Sequence, residues 1–230
     1  MKNLSNEILI KSHNNIFNLF INNKELKTPN KNKFNFDDKQ TPLLIKDEII
    51  SQNNFDLKKS IYYKIFSIVK DKINVNKTIF VNNLMKYAET DLICYWEAGP
   101  EELYLLQKKK WKKIFDILKE EKLDFQYTTN IKPIQQKKDA LNLLKKKIFK
   151  FSDIELSCLT ITTEITGSVL LSLLFIDYKL NYDELYENCF LHNLWQSKKW
   201  GLIEEEKDRR KIDMMTFKKI FILLELIDDR

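Results

Sequence analysis

Glycine and proline are scarce, at three and four among 230 residues. That excludes linker-rich and collagen-like chains and leaves few breaks for long helices. Histidine is scarcer still: His13 and His192 are the two in the chain. Cys94, Cys158 and Cys189 share no CxxC spacing, so neither a disulfide framework nor a signatured zinc site is present. The thiols read as ordinary buried groups of a reducing compartment. Gly99, Gly167 and Gly201 stand alone, which removes glycine-rich phosphate loops and the GxSxG elbow; HExxH is missing too.

Arginine is nearly absent. Of 39 basic residues only Arg209, Arg210 and Arg230 are arginines. Proteins that read bases or clamp phosphates lean on the bidentate guanidinium fork, so the lysine content is poor ground for nucleic-acid binding. Long apolar runs are missing as well. The longest apolar stretch without a charge, Ile165 to Ile176, lies between Glu164 and Asp177 and falls short of the roughly 20 residues of a membrane span. The opening residues hold one short apolar run, Ile8 to Ile10, too short for a signal-peptide core. Glu7 and the lack of nearby arginine argue against a transit peptide. A cytoplasmic protein without a membrane span is expected, or a mitochondrial-matrix one in a eukaryote.

Apolar residues make up 43% and aromatics 12%, enough for a sizeable core. The length suits one large domain or two small ones. Glu7 to Lys11 and Ile16 to Ile21 are short β-type runs, and Asn22-Asn23 is a turn dipeptide from which Lys24 to Thr28 returns. Lys33 to Asp37 alternates, with Phe34 and Phe36 on one face. Helices are predicted from Thr41, as N-cap before Pro42, to about Gln52, over Ser60–Ile73, and from Asn76 to about Tyr87. The expected class is α+β: a small antiparallel sheet with helices over 1–89, then helices over 90–230.

Within the second part, Pro100 opens a helix with Glu101 and Glu102 in its first turn, running to about Lys122. Gln135 to Lys150 is amphipathic. Ser152 and Glu155 form a capping box that starts one apolar helix reaching Ile176. Asn181 or Asp183 starts the next, ending at Trp200-Gly201, and a last helix runs from Glu204 to Ile227. Glu164 inside the apolar helix requires either a polar seam with Thr160, Thr163 and Gly167 or a functional role. Gly167, Ser168 and Ser172 suggest close helix packing, or else a ligand against the backbone. Trp195 and Trp200, five apart, cannot share a stripe, so one can anchor in the core and the other at the rim.

Charge is unevenly placed. Gln107 to Lys150 holds 14 Lys against 5 acids, a net of +9, and Phe151 to Glu206 holds 3 Lys against 10 acids, a net of −7. The lysine stretch reads as a solvated face or as a surface that steers a complementary partner.

Asp91 to Trp111 reads DLICYWEAGPEELYLLQKKKW. It resembles the signature of the assembly chaperones for the α subunit of F-type ATP synthase, the Atp-twelve family of mitochondria and α-proteobacteria. Asp91, Leu92, Cys94, Tyr95, Pro100, Gln107 and Trp111 carry the match. Leu26-Lys27-Thr28-Pro29, Thr166-Gly167-Ser168, Trp195-Gln196 and Trp200-Gly201 follow the family's order. Three departures stand out. His192, Asn193 and Leu194 occupy positions where the family favours acids, Trp96 stands where it favours Arg, and the helix after Thr41 lacks a Trp near Ile49. Glu184 or Glu187 could compensate for the missing acids.

The resemblance implies a small α+β domain followed by an orthogonal helical bundle. It implies a monomeric, non-enzymatic chaperone without cofactor or metal, which binds the ATP synthase α subunit until the β subunit replaces it. Trp195, Gln196, Trp200, Gly201, Asp91 and Tyr95 are the expected partner-binding residues, and no nucleic acid is expected as partner. The alternatives are a basic helical RNA- or ribosome-associated protein using Lys108, Lys109, Lys110, Lys112 and Lys113 around Trp111, and an enzyme with a shifted carboxylate such as Glu164.

Overall fold

The computed structural model describes residues 7–130, 132–201 and 203–228. The first part of the stretch read above for a leader, and Arg230, lie outside the described residues. The chain divides after Lys77 into two compact units.

The first unit begins with two hairpins. Strands β1 (Ile8–His13) and β2 (Ile16–Ile21) pair antiparallel from Ile8↔Ile21 to His13↔Ile16. Their link, Asn14-Asn15, and the next, Asn22-Asn23, have φ of 49, 60, 50 and 63°. Two-residue hairpins need both linking residues left-handed, and Asn tolerates this better than most side chains. Only the second turn was legible in the sequence. β3 (Lys24–Glu25) and β4 (Asn35–Phe36) both pair with the other edge of β2, which is therefore central. Phe34 and Phe36 are both buried, edge to face at 5.1 Å, as their alternation predicts.

Buried carboxylates tie the rest of this unit together. Helix α1 (Gln40–Ile50) starts two residues earlier than expected, with Lys39 and not Thr41 at its N-cap, because the Asp38 carboxylate takes the Thr41 N–H at 2.7 Å. Buried Glu48 on α1 accepts from the Ser60 hydroxyl and from the N–H groups of Ile61 (2.9 Å) and Tyr62 (3.1 Å). It thus satisfies the orphan donors that open α2 (Ile61–Ile68). The predicted helix over 60–73 runs unbroken from its Ser60 cap to Ile73, but it is not α throughout: α2 widens into a π-turn over Val69–Ile73. Asp71 in that turn accepts from the Thr28 hydroxyl, Asn30 N–H (2.9 Å) and Asn32 Nδ2 (2.8 Å), which fixes the Lys-Thr-Pro segment.

The second unit is helical: α3 (Lys77–Glu89), α4 (Glu101–Glu120), α5 (Lys138–Lys150), α6 (Asp153–Thr166), α7 (Val169–Ile176), α8 (Tyr182–Cys189), α9 (Leu191–Trp200) and α10 (Glu204–Asp228). The architecture is the α+β class expected. α7 is buried at every position and forms the centre of the unit. Capping boxes open α6 (Ser152 with Glu155) and α8 (Asn181 with Glu184).

Two predicted helices are each two helices. The stretch to Trp200 breaks at Phe190, where φ, ψ of −100° and 17° leave the α region. The apolar stretch to Ile176 breaks at Gly167, which adopts φ +69° and caps α6, while Ser168 caps α7 through Leu171 N–H (3.0 Å). Close packing is not why Gly167 is glycine, since a Cβ there would meet nothing within 4 Å. Its role is the left-handed turn. Ser172 likewise bonds the break itself, donating to Ser168 O at 2.7 Å. Glu164 lies in neither a polar seam nor a buried site: it is exposed on α6.

Asp91 holds this break from outside. The residue is fully buried. Its Oδ1 accepts from Ser168 Oγ at 2.6 Å and Ile93 N–H at 3.2 Å, and its Oδ2 accepts from Leu170 N–H at 3.0 Å. Leu92 N–H donates to Gly167 O at 3.2 Å. The Asp-Leu motif and the Thr-Gly-Ser motif are therefore one device. A carboxylate seated on the N-terminus of the central helix meets its positive end and its free donors together.

Burial nevertheless dominates and pushes the Asp91 carboxyl up to about 6 from 3.8, against the pull of Ser168 and the amide donors. Asp91→Ala leaves these donors unpaired in the core and is expected to cost about 3 kcal/mol or more in chemical unfolding. Asp91→Asn isolates the charge. The folded acid binds its proton more tightly than the unfolded one, so its contribution is full below pH about 4 and lost as pH rises through about 6. The stability of wild type minus that of D91N is therefore expected to fall from pH 4 to 7. A difference that rises over that range would mean that the donors outweigh burial. Gly167→Ala should cost about 1–2 kcal/mol through backbone strain alone, since the space is open. A cost near zero in the same unfolding assay would contradict that origin.

Candidate functional site

Of the six expected partner-binding residues, Trp195, Gln196 and Trp200 sit on α9 and Gly201 ends it. Leu191, Leu194 and Trp195 are spaced to share one face, and Leu191 and Trp195 are buried. Trp195 is 9% exposed and Trp200 71%, which is the division their spacing implied. The rings meet edge to face at 5.6 Å and 89°, so the exposed indole stands on the buried one. Lys199 lies 4.6 Å from the centre of the Trp195 ring and pairs with Glu102 of α4 at 2.5 Å. Its ammonium holds the Glu102 carboxyl below the usual range. Gly201, at φ +85°, ends the helix, its N–H on Ser197 O at 3.0 Å.

The face at 192–194 is not devoid of acid. Exposed Gln196 places Nε2 3.0 Å from His192 Nε2. An amide nitrogen only donates, so His192 Nε2 accepts, and Nδ1–H faces Glu97 Oε1 at 3.4 Å. The two acids expected to compensate are committed elsewhere: Glu187 to Lys110 at 2.6 Å, and Glu184 to its capping box. Glu97 is the carboxylate beside this face, and it comes from the segment that follows Tyr95.

That segment explains the rest of the long motif. Tyr95 is half-buried, its hydroxyl accepting from Ile134 N–H at 3.4 Å. It lines a shallow hollow of about 360 Å³ with Trp96, Glu97, Ala98 and Thr129. Buried Gln107 takes the Glu97 N–H at 2.7 Å, and Trp111 donates to Asn188 O at 3.2 Å, fastening α4 to α8. Trp96, in place of an Arg, stacks on Tyr127 at 3.8 Å and 6° and is ringed by Tyr104, Trp111 and Phe115. Its indole N–H is satisfied by Ile93 O at 2.8 Å. The structure thus brings Trp195, Gln196, Trp200 and Gly201 together and joins Tyr95's segment to them through Glu97. Asp91 is buried away from any surface.

Beside α9 runs an apolar groove of about 720 Å³. Leu106, Tyr186, Leu191, Leu194, Trp195 and Met214 form its floor, with Lys110, Asp183, Glu187 and Lys198 on its rim. A second hollow of about 420 Å³ shares Tyr186, Leu194 and Met214 and continues along α10. Sequence reasoning missed Glu97, Glu102 and Lys199 because their partners lie far along the chain. Met214 and Met215 carried no local signal. Among the described residues no cluster of His, Cys, Asp or Glu could hold a metal, and no helix is long and apolar enough to cross a membrane. Cys94, Cys158 and Cys189 are free and buried, and burial pushes each thiol upward, away from nucleophilic chemistry.

The arrangement suits a surface that holds another protein. The family profile described as ATP12 chaperone protein matches residues 4–119. Among solved structures, the Atu1473 protein of Agrobacterium tumefaciens is 21% identical, with a TM-score of 0.86 over 96% of this chain and 84% of that one. Atp12 of Paracoccus denitrificans is 19% identical, with a TM-score of 0.82 over 95% of each chain. These two likenesses are of fold. No curated protein matches the chain. The profile match spans half of the sequence, and on it the chain belongs to the ATP12 chaperone family.

Proposed function

We propose that this protein binds the free α subunit of ATP synthase and shields the surface that the β subunit later covers, with Trp200 as an anchor. Family membership makes it a chaperone of ATP synthase assembly rather than an enzyme. The α subunit as client, and the residues that meet it, are our reading. One observation carries it: Trp200 is 71% exposed yet held edge-on against a buried partner ring. Tryptophan is highly buried on average and a frequent interface anchor, and a pre-positioned indole loses little freedom on binding.

A subunit bound for a ring exposes apolar interface before it meets its neighbours, and so is prone to aggregate. A chaperone has to cover that surface and later yield it. A few aromatic anchors within a charged rim give enough affinity to protect and leave the larger subunit–subunit contact able to displace them. Lys108, Lys109, Lys112 and Lys113 on α4 are all exposed, a face suited to raising the encounter rate.

The two tryptophans should separate binding from folding. Trp200→Ala is expected to weaken binding of freshly refolded α subunit by about tenfold or more, and to leave stability within about 0.5 kcal/mol. Trp195→Ala should cost about 3 kcal/mol of stability as well. Co-elution on a sizing column, with β subunit added as competitor, and thermal unfolding read the two effects. If W200A keeps full affinity, Trp200 is no anchor. Replacing Lys108, Lys109, Lys112 and Lys113 together by Gln should leave the fold intact and slow association at low salt by about tenfold, with little change in dissociation. An unchanged on-rate would remove the steering role. Binding of RNA that falls steeply with salt, together with no binding of α, would favour the RNA-associated reading.

A further inference from the structure

The groove beside α9 is not uniform along its length. Toward α4 its rim carries both signs, and Lys110 and Glu187 satisfy each other at 2.6 Å. Toward α10 the lining changes. Lys207, Arg210, Lys211, Met214 and Met215 recur at helical spacing and line the second hollow, with Tyr186 and Leu194 opposite. That end holds three cations and no carboxylate in its lining. The cations differ in what holds them. Arg210 is buried and fixed, its Nε on Glu206 Oε1 and its Nη1 on Ser197 Oγ, both at 3.0 Å. Lys207 and Lys211 are exposed and, among the described residues, pair along their own helix, with Glu204 at 3.3 Å and Asp208 at 3.4 Å. Exposed pairs of that kind are worth little and exchange readily for a better-placed anion.

We infer that the α10 end of this groove docks a segment of the client that carries apolar side chains followed by carboxylates. The inference rests on the reading of the α subunit as client and adds the chemistry by which it is held. The apolar side chains lie over Tyr186, Leu194 and the two methionines. The carboxylates lie between Lys207 and Lys211, which leave Glu204 and Asp208 to meet them. Methionine suits such a floor, because its unbranched, polarizable side chain repacks around different shapes. Buried Arg210 belongs to the frame and keeps the α9 and α10 walls in register through Ser197.

The test uses the full-length protein and freshly refolded α subunit, titrated at moderate salt and followed by sedimentation. Lys207→Glu with Lys211→Glu reverses the two mobile charges. Lys138→Glu with Lys145→Glu, both exposed on α5, makes the same change in net charge away from the groove. Met215→Ser removes apolar floor at a half-exposed position. Thermal unfolding should be unchanged for all three. The groove pair is expected to weaken binding by about tenfold or more and the α5 pair by no more than about twofold. M215S should weaken it by about fivefold, with less salt dependence than the charge reversal. Equal loss from the two charge pairs would mean that only net charge matters, and full affinity in K207E/K211E and M215S would show the groove empty in the complex. Either result overturns the inference while leaving the α subunit as client. A wild-type protein that fails to bind α overturns the client reading and this one with it. A wild-type dimer dissolved by M215S would show that a second copy covers the groove, which also overturns it.

Discussion

The helical unit depends on one fully buried carboxylate. Asp91 sits against the first turn of α7, the helix with every residue buried, and meets its free donors where the chain breaks at Gly167. A central helix cannot take its caps from water. Its first donors must be met by the chain itself, at the cost of desolvating whatever meets them. The same solution recurs in the first unit, where Glu48 opens α2 and Asp71 gathers the Thr28–Asn32 loop. Buried acid on backbone donors is one way this lysine-rich chain, poor in glycine and proline, fixes its turns, beside its left-handed asparagines and glycines.

From the Asp91 clamp the rest of the site follows outward. The turn that Asp91 caps delivers Trp96 into its aromatic cluster and Glu97 toward His192. Gln107 fixes the Glu97 backbone, and Trp111 fastens α4 to α8. α4 in turn supplies Glu102, the counter-charge of Lys199 over Trp195. Trp200 can therefore be both exposed and pre-positioned, because each layer beneath it is hydrogen-bonded or packed. Residues such as Asp91 then matter to a partner without touching it: they hold the surface that does.

How much of this the sequence discloses depends on the range of each interaction. Local rules disclose the Asn22-Asn23 turn, the Ser152–Glu155 capping box and the opposite fates of Trp195 and Trp200, since each is decided within a few residues. They misjudge the two long helices. An apolar run with one glycine does not reveal that the glycine is left-handed, because what selects that break is Asp91, 77 residues away from Ser168. Glu164 looks anomalous in one dimension only because its neighbours are apolar on both sides, whereas the helix turns it to solvent. The family motif does mark Asp91 and Thr166-Gly167-Ser168, but as two separate words. Their meaning as a single clamp needs the third dimension.

The departures from the family pattern obey the same distinction. Trp96 in place of Arg is absorbed entirely indoors: the indole stacks on Tyr127 and bonds Ile93 O, and no unpaired group is left behind. The loss of acids at 192–194 is a surface change, and nearby chemistry answers it only in part. Glu97 lends a carboxylate to His192, while Glu184 and Glu187 remain engaged in capping and ion pairing. Around α9 stand Lys198, Lys199, Lys207 and Lys211, of which Lys199 pairs with Glu102, Lys207 with Glu204 and Lys211 with Asp208. A binding surface takes such a change most readily if its partner carries the complementary one, because like charges brought together across an interface cost roughly several kcal/mol. If the anchors are kept and the rim is inverted, the change of specificity falls on the charges and not on Trp200.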